Sequence, residues 1–399
     1  MIKAITSFLF GPFFTVFLAC AMLFTGTINT VATKFQDLQI VKGTGRGPPT
    51  KFEHPFLQTA IMFVGEYACL FAHYLSVLIV SGVYKLRQKK SEEDFKDIVE
   101  EQTAKKPVQE HANPLVFWIP AICDLSGTTL LNIGLFFTYA SVYQMLRGSV
   151  VIFNAIFACI FLKQRLGFHH WFGIVLIVAG LTTVGLSSVL YTSSGSAGAR
   201  NPLLGDALVV VACILQAVQF VVEEKFVAKY DAAPLECVGW EGFFGLSMTL
   251  VFLFVLYFIP GSDAHSLENG AYAFAQMARS PILMISVVGS ATSIAFFNFI
   301  GITITKRVSS TTRSTIDACR TMFIWVVSLV LGWEDFRFLQ LGGFAVLVTG
   351  TFLYNGVIRI PIYHGWYVRK QYEKAQIKAF EDAVDNTFAQ VENEQDAGF

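Results

Sequence analysis

Arg313, Asp317 and Arg320 stand inside the otherwise apolar stretch from Val308 to Trp333. A charged side chain deep in hydrocarbon costs several kcal/mol even after snorkelling and water defects, so such residues face a bundle interior or a water-filled path. Guanidinium groups grip phosphate or carboxylate through paired hydrogen bonds, and a carboxylate set between arginines holds them in register. The chemistry on offer is therefore recognition of an anion. Arg147 adds a fourth charge from the apolar stretch Ser141 to Leu162, with Gln144 and Asn154 on its helical face, and Asn298 lies in a further stretch. Glu66, Asp124 and Glu241 are further acids inside apolar stretches; they suit pairing with arginines or uptake of a proton in a coupled cycle, and the sequence leaves both open. The candidate substrate-binding set is Arg147, Gln144, Arg313, Asp317, Arg320, Asn298, Glu66 and Glu241, with Asp317 as the residue that orders the arginines. Buried ion pairs that only neutralise themselves, and interhelical hydrogen bonds, are the plainer accounts of the same residues.

Such residues need a scaffold that buries them in lipid. Of the 399 residues, 54% are hydrophobic, 15% are charged and 39 are Phe, which is not the profile of a soluble domain. Ten apolar stretches each approach the ~20 residues that a hydrocarbon core requires. The first five are Phe8–Val31, Pro55–Val83, Pro114–Phe137, Ser141–Leu162 and Trp171–Tyr191. The second five are Asp206–Phe226, Val238–Pro260, Pro281–Thr305, Val308–Trp333 and Leu339–Ile360. Backbone polar groups have no partners in lipid, so spans of this length are helices, and a barrel would instead show short alternating strands. The expected fold class is an all-α polytopic membrane protein. The first stretch is longer than the apolar core of a secretory signal and is kept as a helix. Lys and Arg concentrate in the loops on one side, above all in loop 84–113, which places both termini in the cytoplasm.

Several function classes drop out. The seven Cys lie in or beside apolar stretches with no Cys-x-x-Cys, and no His spacing suits zinc, so neither a disulfide framework nor a metal site is expected. Net charge is zero with scattered basic residues, which excludes a nucleic-acid partner. There is no His-Glu-x-x-His, Gly-x-Ser-x-Gly or Walker sequence, so the chain is read as neither an enzyme nor a nucleotide-driven pump, and no cofactor is expected. Residues 361–399 alternate apolar and basic positions at near-helical spacing and read as a cytoplasmic, membrane-surface amphipathic helix.

The two halves repeat. At an offset of 170 residues, Leu162–Gly180 falls on Gly332–Gly350, matching Gly173 to Gly343, Gly180 to Gly350 and Phe168 to Phe338. At a different offset, Gly65-Glu66 resembles Trp240-Glu241. Five helices per half force opposite membrane orientations, the architecture of alternating-access carriers, with the substrate site between the repeats. The expected domains are a first repeat 1–192, a second repeat 203–360 and the tail. The same offset lays Arg147 on Asp317, so the two should lie near each other.

The run SVYQMLRGSVVIFNAIFACIFLKQRL (141–166), the EEKFV at 223–227, and SIAFFNFIGITITK (293–306) followed by STTR (310–313) resemble the drug/metabolite transporter superfamily, within it solute carrier family 35, F subgroup. The resemblance covers nearly all of residues 8 to 358. It implies ten helices in two inverted five-helix repeats and a transporter of the nucleotide-sugar type in an organelle membrane, lysosomal first, mitochondrial or Golgi otherwise. The arginines and Asp317 stand where related antiporters carry a lysine-based motif. The expected function is secondary-active transport of a small organic anion; a non-transporting scaffold that binds partners through loop 84–113 and the tail is the alternative. Expected partners are the anionic solute, the bilayer, a second copy of the chain, and a protein docked on the tail.

Overall fold

The computed structural model describes residues 12–42, 49–52, 54–88, 113–138, 143, 146–191, 201–260, 266, 268–332 and 336–358. The chain divides into two compact units, Met1–Tyr354 and Asn355–Phe399. Of the second, residues 355–358 are described; the amphipathic tail, most of loop 84–113 and Gln144 lie outside the described residues.

In the first unit the helices are α1 (Pro12–Leu38), α2 (Pro55–Gln88), α3 (Trp118–Phe137), α4 (Val150–Phe161), α5 (Phe168–Tyr191), α6 (Pro202–Tyr230), α7 (Pro234–Phe258), α8 (Gly270–Arg279), α9 (Pro281–Arg307), α10 (Ser310–Val330) and α11 (Phe338–Tyr354). Seven of them (α1, α2, α3, α5, α6, α7 and α9) are long and apolar enough to cross a membrane; α4 and α11 are shorter apolar helices, and α10 carries the three charges. The protein is a polytopic membrane protein. Large apolar side chains such as Leu78 and Phe254, 69% and 67% exposed, face outward as lipid contact demands.

Helix ends follow local chemistry. Asn201, Asn269, Ser280 and Ser309 each accept a backbone N–H of the following first turn, and Pro occupies the first position of α6, α7 and α9, where no N–H is needed. The fourth apolar stretch is expected as one helix from Ser141, but its helical residues Tyr143, Leu146 and Arg147 are parted from α4 by a turn at Gly148–Ser149. Gly148 weakens the helix there, and the Leu181 side chain occupies the space its Cβ would need. The last helix stops at Tyr354, short of Ile360, because Gly356 takes a left-handed conformation (φ 69°) that ends it.

Helix pairing is dominated by α5 with α11, α3 with α6, α2 with α7, and α1 with α9. Glycines bring α5 and α11 close and antiparallel: a Cβ on Gly173 would lie 3.0 Å from the Gly350 carbonyl, and one on Gly180 2.7 Å from that of Gly343.

One end of the bundle carries a polar seal that sequence reading leaves as an irregular loop. Strands β1 (Ile40–Val41) and β2 (Thr50–Lys51) pair antiparallel, and α8 packs its buried Ala273, Gln276 and Met277 beneath them. Gln276 Nε2 donates to the Val41 carbonyl (3.1 Å) and Thr50 Oγ1 (3.0 Å), while its Oε1 pairs with His54 Nε2 (3.0 Å). His54 Nδ1 lies 3.3 Å from Glu268 Oε1, with both side chains almost wholly buried. His54→Leu strips Gln276 and Glu268 of these contacts at once. The expected cost is ~2–4 kcal/mol, since each buried polar group left unsatisfied costs about 1–3 kcal/mol; the midpoint of thermal unfolding in detergent measures it.

Candidate functional site

Two residues separate α9 from α10, so the helices run back to back and α10 begins deep in the bundle. Its first N–H groups are met from α6: the Ser310 N–H donates to Glu224 Oε2 (2.7 Å), and Glu224 Oε1 accepts from Gln164 (2.6 Å). A carboxylate at a helix N-terminus is stabilised by the helix dipole. Asn154 of α4 anchors the next turn, donating to Ser314 Oγ (3.0 Å) and accepting from Ser310 Oγ (3.3 Å).

Arg313, one turn further on, is 2% exposed and forms an ion pair with Glu223 of α6 through Nη1. Its Nη2 donates to Asn298 Oδ1 (3.3 Å), and its guanidinium lies 4.3 Å from the centroid of the Phe220 ring. The amide of Asn298 in turn donates to Glu66 Oε1 of α2 (2.7 Å). Glu241 of α7 and Asp124 of α3 complete this outer cluster: Glu241 is within electrostatic reach of Glu223, Glu66, Arg313 and Asp124. Four carboxyl groups thus surround one guanidinium.

About two turns along α10 lies an inner cluster. Arg320 binds Asp317 with both arms of its fork, Nε to Oδ1 at 3.1 Å and Nη2 to Oδ2 at 3.3 Å, and its guanidinium lies 4.9 Å from the Phe297 ring centroid. Arg147, just before the turn at Gly148, hydrogen-bonds Tyr143 and is within electrostatic reach of Asp317 and Arg320. At that turn the carbonyls of Leu146 and Arg147 take the Cys213 thiol as donor (3.5 and 3.7 Å). Among the described residues, two guanidinium groups here share a single carboxylate.

The candidate residues therefore fall into two groups. The structure brings Arg147 to Asp317 and Arg320, and brings Arg313, Asn298, Glu66 and Glu241 together; Gln144 is outside the described residues. Arg313 does not share Asp317, as one helical face would have it, but turns to Glu223. Sequence reading missed Glu223 because it falls near the end of the sixth stretch. The available signal was depth: Arg313 is three residues into its helix, level with that helix end. Among the described residues carboxyl groups outnumber guanidinium groups in the outer cluster, and the reverse is true of the inner one. Among the described residues no group of His, Cys, Asp and Glu is arranged to hold a metal ion, and all seven cysteines are free.

A bundle of lipid-facing helices with charged clusters inside it belongs to the class of polytopic membrane proteins. The nucleotide-sugar transporter profile matches residues 54–258. The chain is 41% identical to Homo sapiens solute carrier family 35 member F6 over 351 residues, covering 87% of this chain and 90% of that protein. It is 42% identical to the Pongo abelii member F6 over 348 residues, 86% and 89% of the two chains. A UDP-galactose transporter of Schizosaccharomyces pombe is 24% identical over 217 residues, 54% of this chain and 58% of that one. A crystal structure at 14% identity, covering 88% of this chain and all of its own with a TM-score of 0.56, shares the fold. The chain belongs to the nucleotide-sugar transporter family within solute carrier family 35. It is a membrane solute transporter and not an enzyme, which sets the scaffold alternative aside.

Proposed function

We propose that this transporter moves a small organic anion, a nucleotide sugar or related metabolite, by alternating access between inverted halves 1–192 and 203–360. The inner cluster carries the reading. Arg147 and Arg320 share the carboxylate of Asp317, so one positive charge stands unmatched in a low-dielectric interior, where an anion is the natural counter-charge. Arg147 and Arg320 contact the solute, Asp317 orders them, and Gln144, three residues before Arg147, contributes a polar contact. Arg313, whose hydrogen bonds go to Glu223 and Asn298, sets the floor of the site.

Support for inverted halves comes from reciprocal packing. Gly173 meets Gly350 while its counterpart Gly343 meets Gly180; Gly180 meets Leu347 as Gly350 meets Ile177; Gly173 meets Tyr354 as Gly343 meets Val184. Each contact maps onto another when residues are exchanged at the 170-residue offset, as a two-fold axis requires. Whole helices follow suit: α3 lies on α6 as α9 lies on α1, and α4 on α6 as α10 on α1. The distribution of Lys and Arg supports cytoplasmic termini, and family resemblance supports a lysosomal membrane ahead of mitochondrial or Golgi ones.

The test is uptake of labelled nucleotide sugars and organic anions by purified protein in liposomes preloaded with mixed nucleotides. Arg147→Ala should lower affinity for the transported solute about ten- to a hundredfold, matching the ~1.5–3 kcal/mol of a hydrogen bond to a charged group. Unchanged affinity in a folded, inserted variant refutes the assignment of Arg147.

A further inference from the structure

The outer cluster contains more negative charge than the anion reading uses. Glu66, Asp124, Glu223 and Glu241 come from α2, α3, α6 and α7 and converge on Arg313 of α10. Neighbouring cations are committed elsewhere: Lys306 of α9 pairs with Asp231 (2.7 Å) and donates to the Ala232 carbonyl (2.9 Å), and Arg320 is bound to Asp317. The titratable groups beside Glu241 are then Glu223, Glu66, Asp124, Arg313 and the thiol of Cys237. Four carboxylates against one guanidinium leave three negative charges unmatched in a membrane interior, where even one is costly.

The hydrogen-bond inventory points to what resolves this. A carboxylate only accepts hydrogen bonds, whereas a protonated carboxyl carries its own donor. Arg313 serves Glu223 Oε2, Asn298 serves Glu66, and Thr128 makes a long contact to Asp124 (3.4 Å). Glu241 is 7% exposed and its buried Oε1 has no donor, and the second oxygen of Glu223 is buried without a donor too. Two unserved carboxyl oxygens stand on groups in electrostatic contact; Arg313 Nε, the unserved donor of the cluster, can meet one of them, and a proton on Glu241 supplies a donor for the other. A metal ion does not fit, because among the described residues these acids are not arranged to hold one.

We propose that Glu241, backed by Glu223, Glu66 and Asp124, is a proton-binding site that couples proton movement to solute translocation. The step is proton binding alone: Glu241 carboxylate takes a proton from the aqueous side to which it is open and returns it when open to the other. Its lever is the α2–α7 crossing. Gly242, next to Glu241, sits against Glu66 so closely that a Cβ there would lie 2.7 Å from the Glu66 Cβ. With the site protonated the two helices close at this point; with Glu66 and Glu241 both charged, like-charge repulsion parts them and admits water. The coupling half of this inference rests on the carrier reading, while the proton site stands apart from it.

The experiment is infrared difference spectroscopy of the full-length protein in lipid between acid and alkaline pH. The expected result is a carboxylic-acid carbonyl band that titrates, is lost in Glu241→Gln and is shifted but retained in Glu241→Asp. The absence of a titrating band, or a band unchanged in Glu241→Gln with helicity intact, overturns the proton site. Coupling is read in proteoliposomes holding a pH-sensitive dye, using a panel solute the wild type takes up. Dye response to solute, absent in Glu241→Gln, supports coupling; uptake driven by a sodium gradient with no dye response overturns it. A titrating band with no uptake of any panel solute would count against the carrier reading and leave the proton site in place.

Discussion

Glu223→Leu is expected to destabilise the folded protein by about 3–5 kcal/mol, the cost of leaving one partner of a buried ion pair alone. Arg313 is among the most deeply buried side chains; its other direct contacts, the Asn298 amide and the face of Phe220, carry no charge, and Glu66, Asp124 and Glu241 lie within electrostatic reach without the ion pair that Glu223 makes. A guanidinium does not lose its proton in a protein, so Arg313 stays charged once its ion-pair partner Glu223 is gone. Arg313→Met should cost less, because the Glu223 left behind can accept a proton. The double variant Glu223→Leu with Arg313→Met should recover most of the loss, as apolar replacements of whole buried pairs are often neutral or better. Thermal unfolding of the purified variants in one detergent measures all three. If Glu223→Leu unfolds within about 1 kcal/mol of the wild type, the pair does not hold α10 to α6.

Gly180→Leu should abolish folded protein, while Gly342→Leu should leave it near wild-type yield. A Cβ on Gly180 would lie 2.6 Å from the Leu347 nitrogen and 2.7 Å from the Gly343 carbonyl, both backbone atoms of α11 that cannot rotate away. Overpacking of a core costs about 1–3 kcal/mol even where side chains yield; here the helix axes must separate, opening α5 from α11 along its length. Gly342 lies one residue from Gly343 yet faces outward, and a Cβ there would meet nothing within 4 Å. Detergent-extracted yield on size exclusion reads the difference. Equal yields from the two variants would mean that close approach of α5 and α11 is not needed for the fold.

Much of this was legible in the sequence. Apolar runs located the helices because lipid admits little else, and the spacing of Gly173, Gly180, Gly343 and Gly350 marked a close crossing. Charge in an apolar stretch singled out Arg147, Arg313, Asp317 and Arg320, and the internal repeat brought Arg147 to Asp317. What sequence hid were partners contributed across helices. Helical periodicity put Arg313 beside Asp317, four residues on, yet three-dimensional packing offered Glu223, which lies near the end of another apolar stretch and so did not stand out as an intramembrane charge. The break at Gly148 was obscured by the unbroken hydrophobicity around it. Short elements such as β1, β2 and α8 are held by Gln276 and His54 contacts between segments more than 200 residues apart, which no local window contains.

Those same contacts tie separate segments of the chain into one mechanical unit. At the sealed end the hairpin, the residues before α2 and α8 are stitched by bonds from Gln276, His54 and Tyr272, the last bonding Thr50 at 3.0 Å. Opening there must swing hairpin and α8 together as a single plate, or tear several buried hydrogen bonds in one event. Separation of these segments is then an all-or-none event, because no single bond among them can yield without the others.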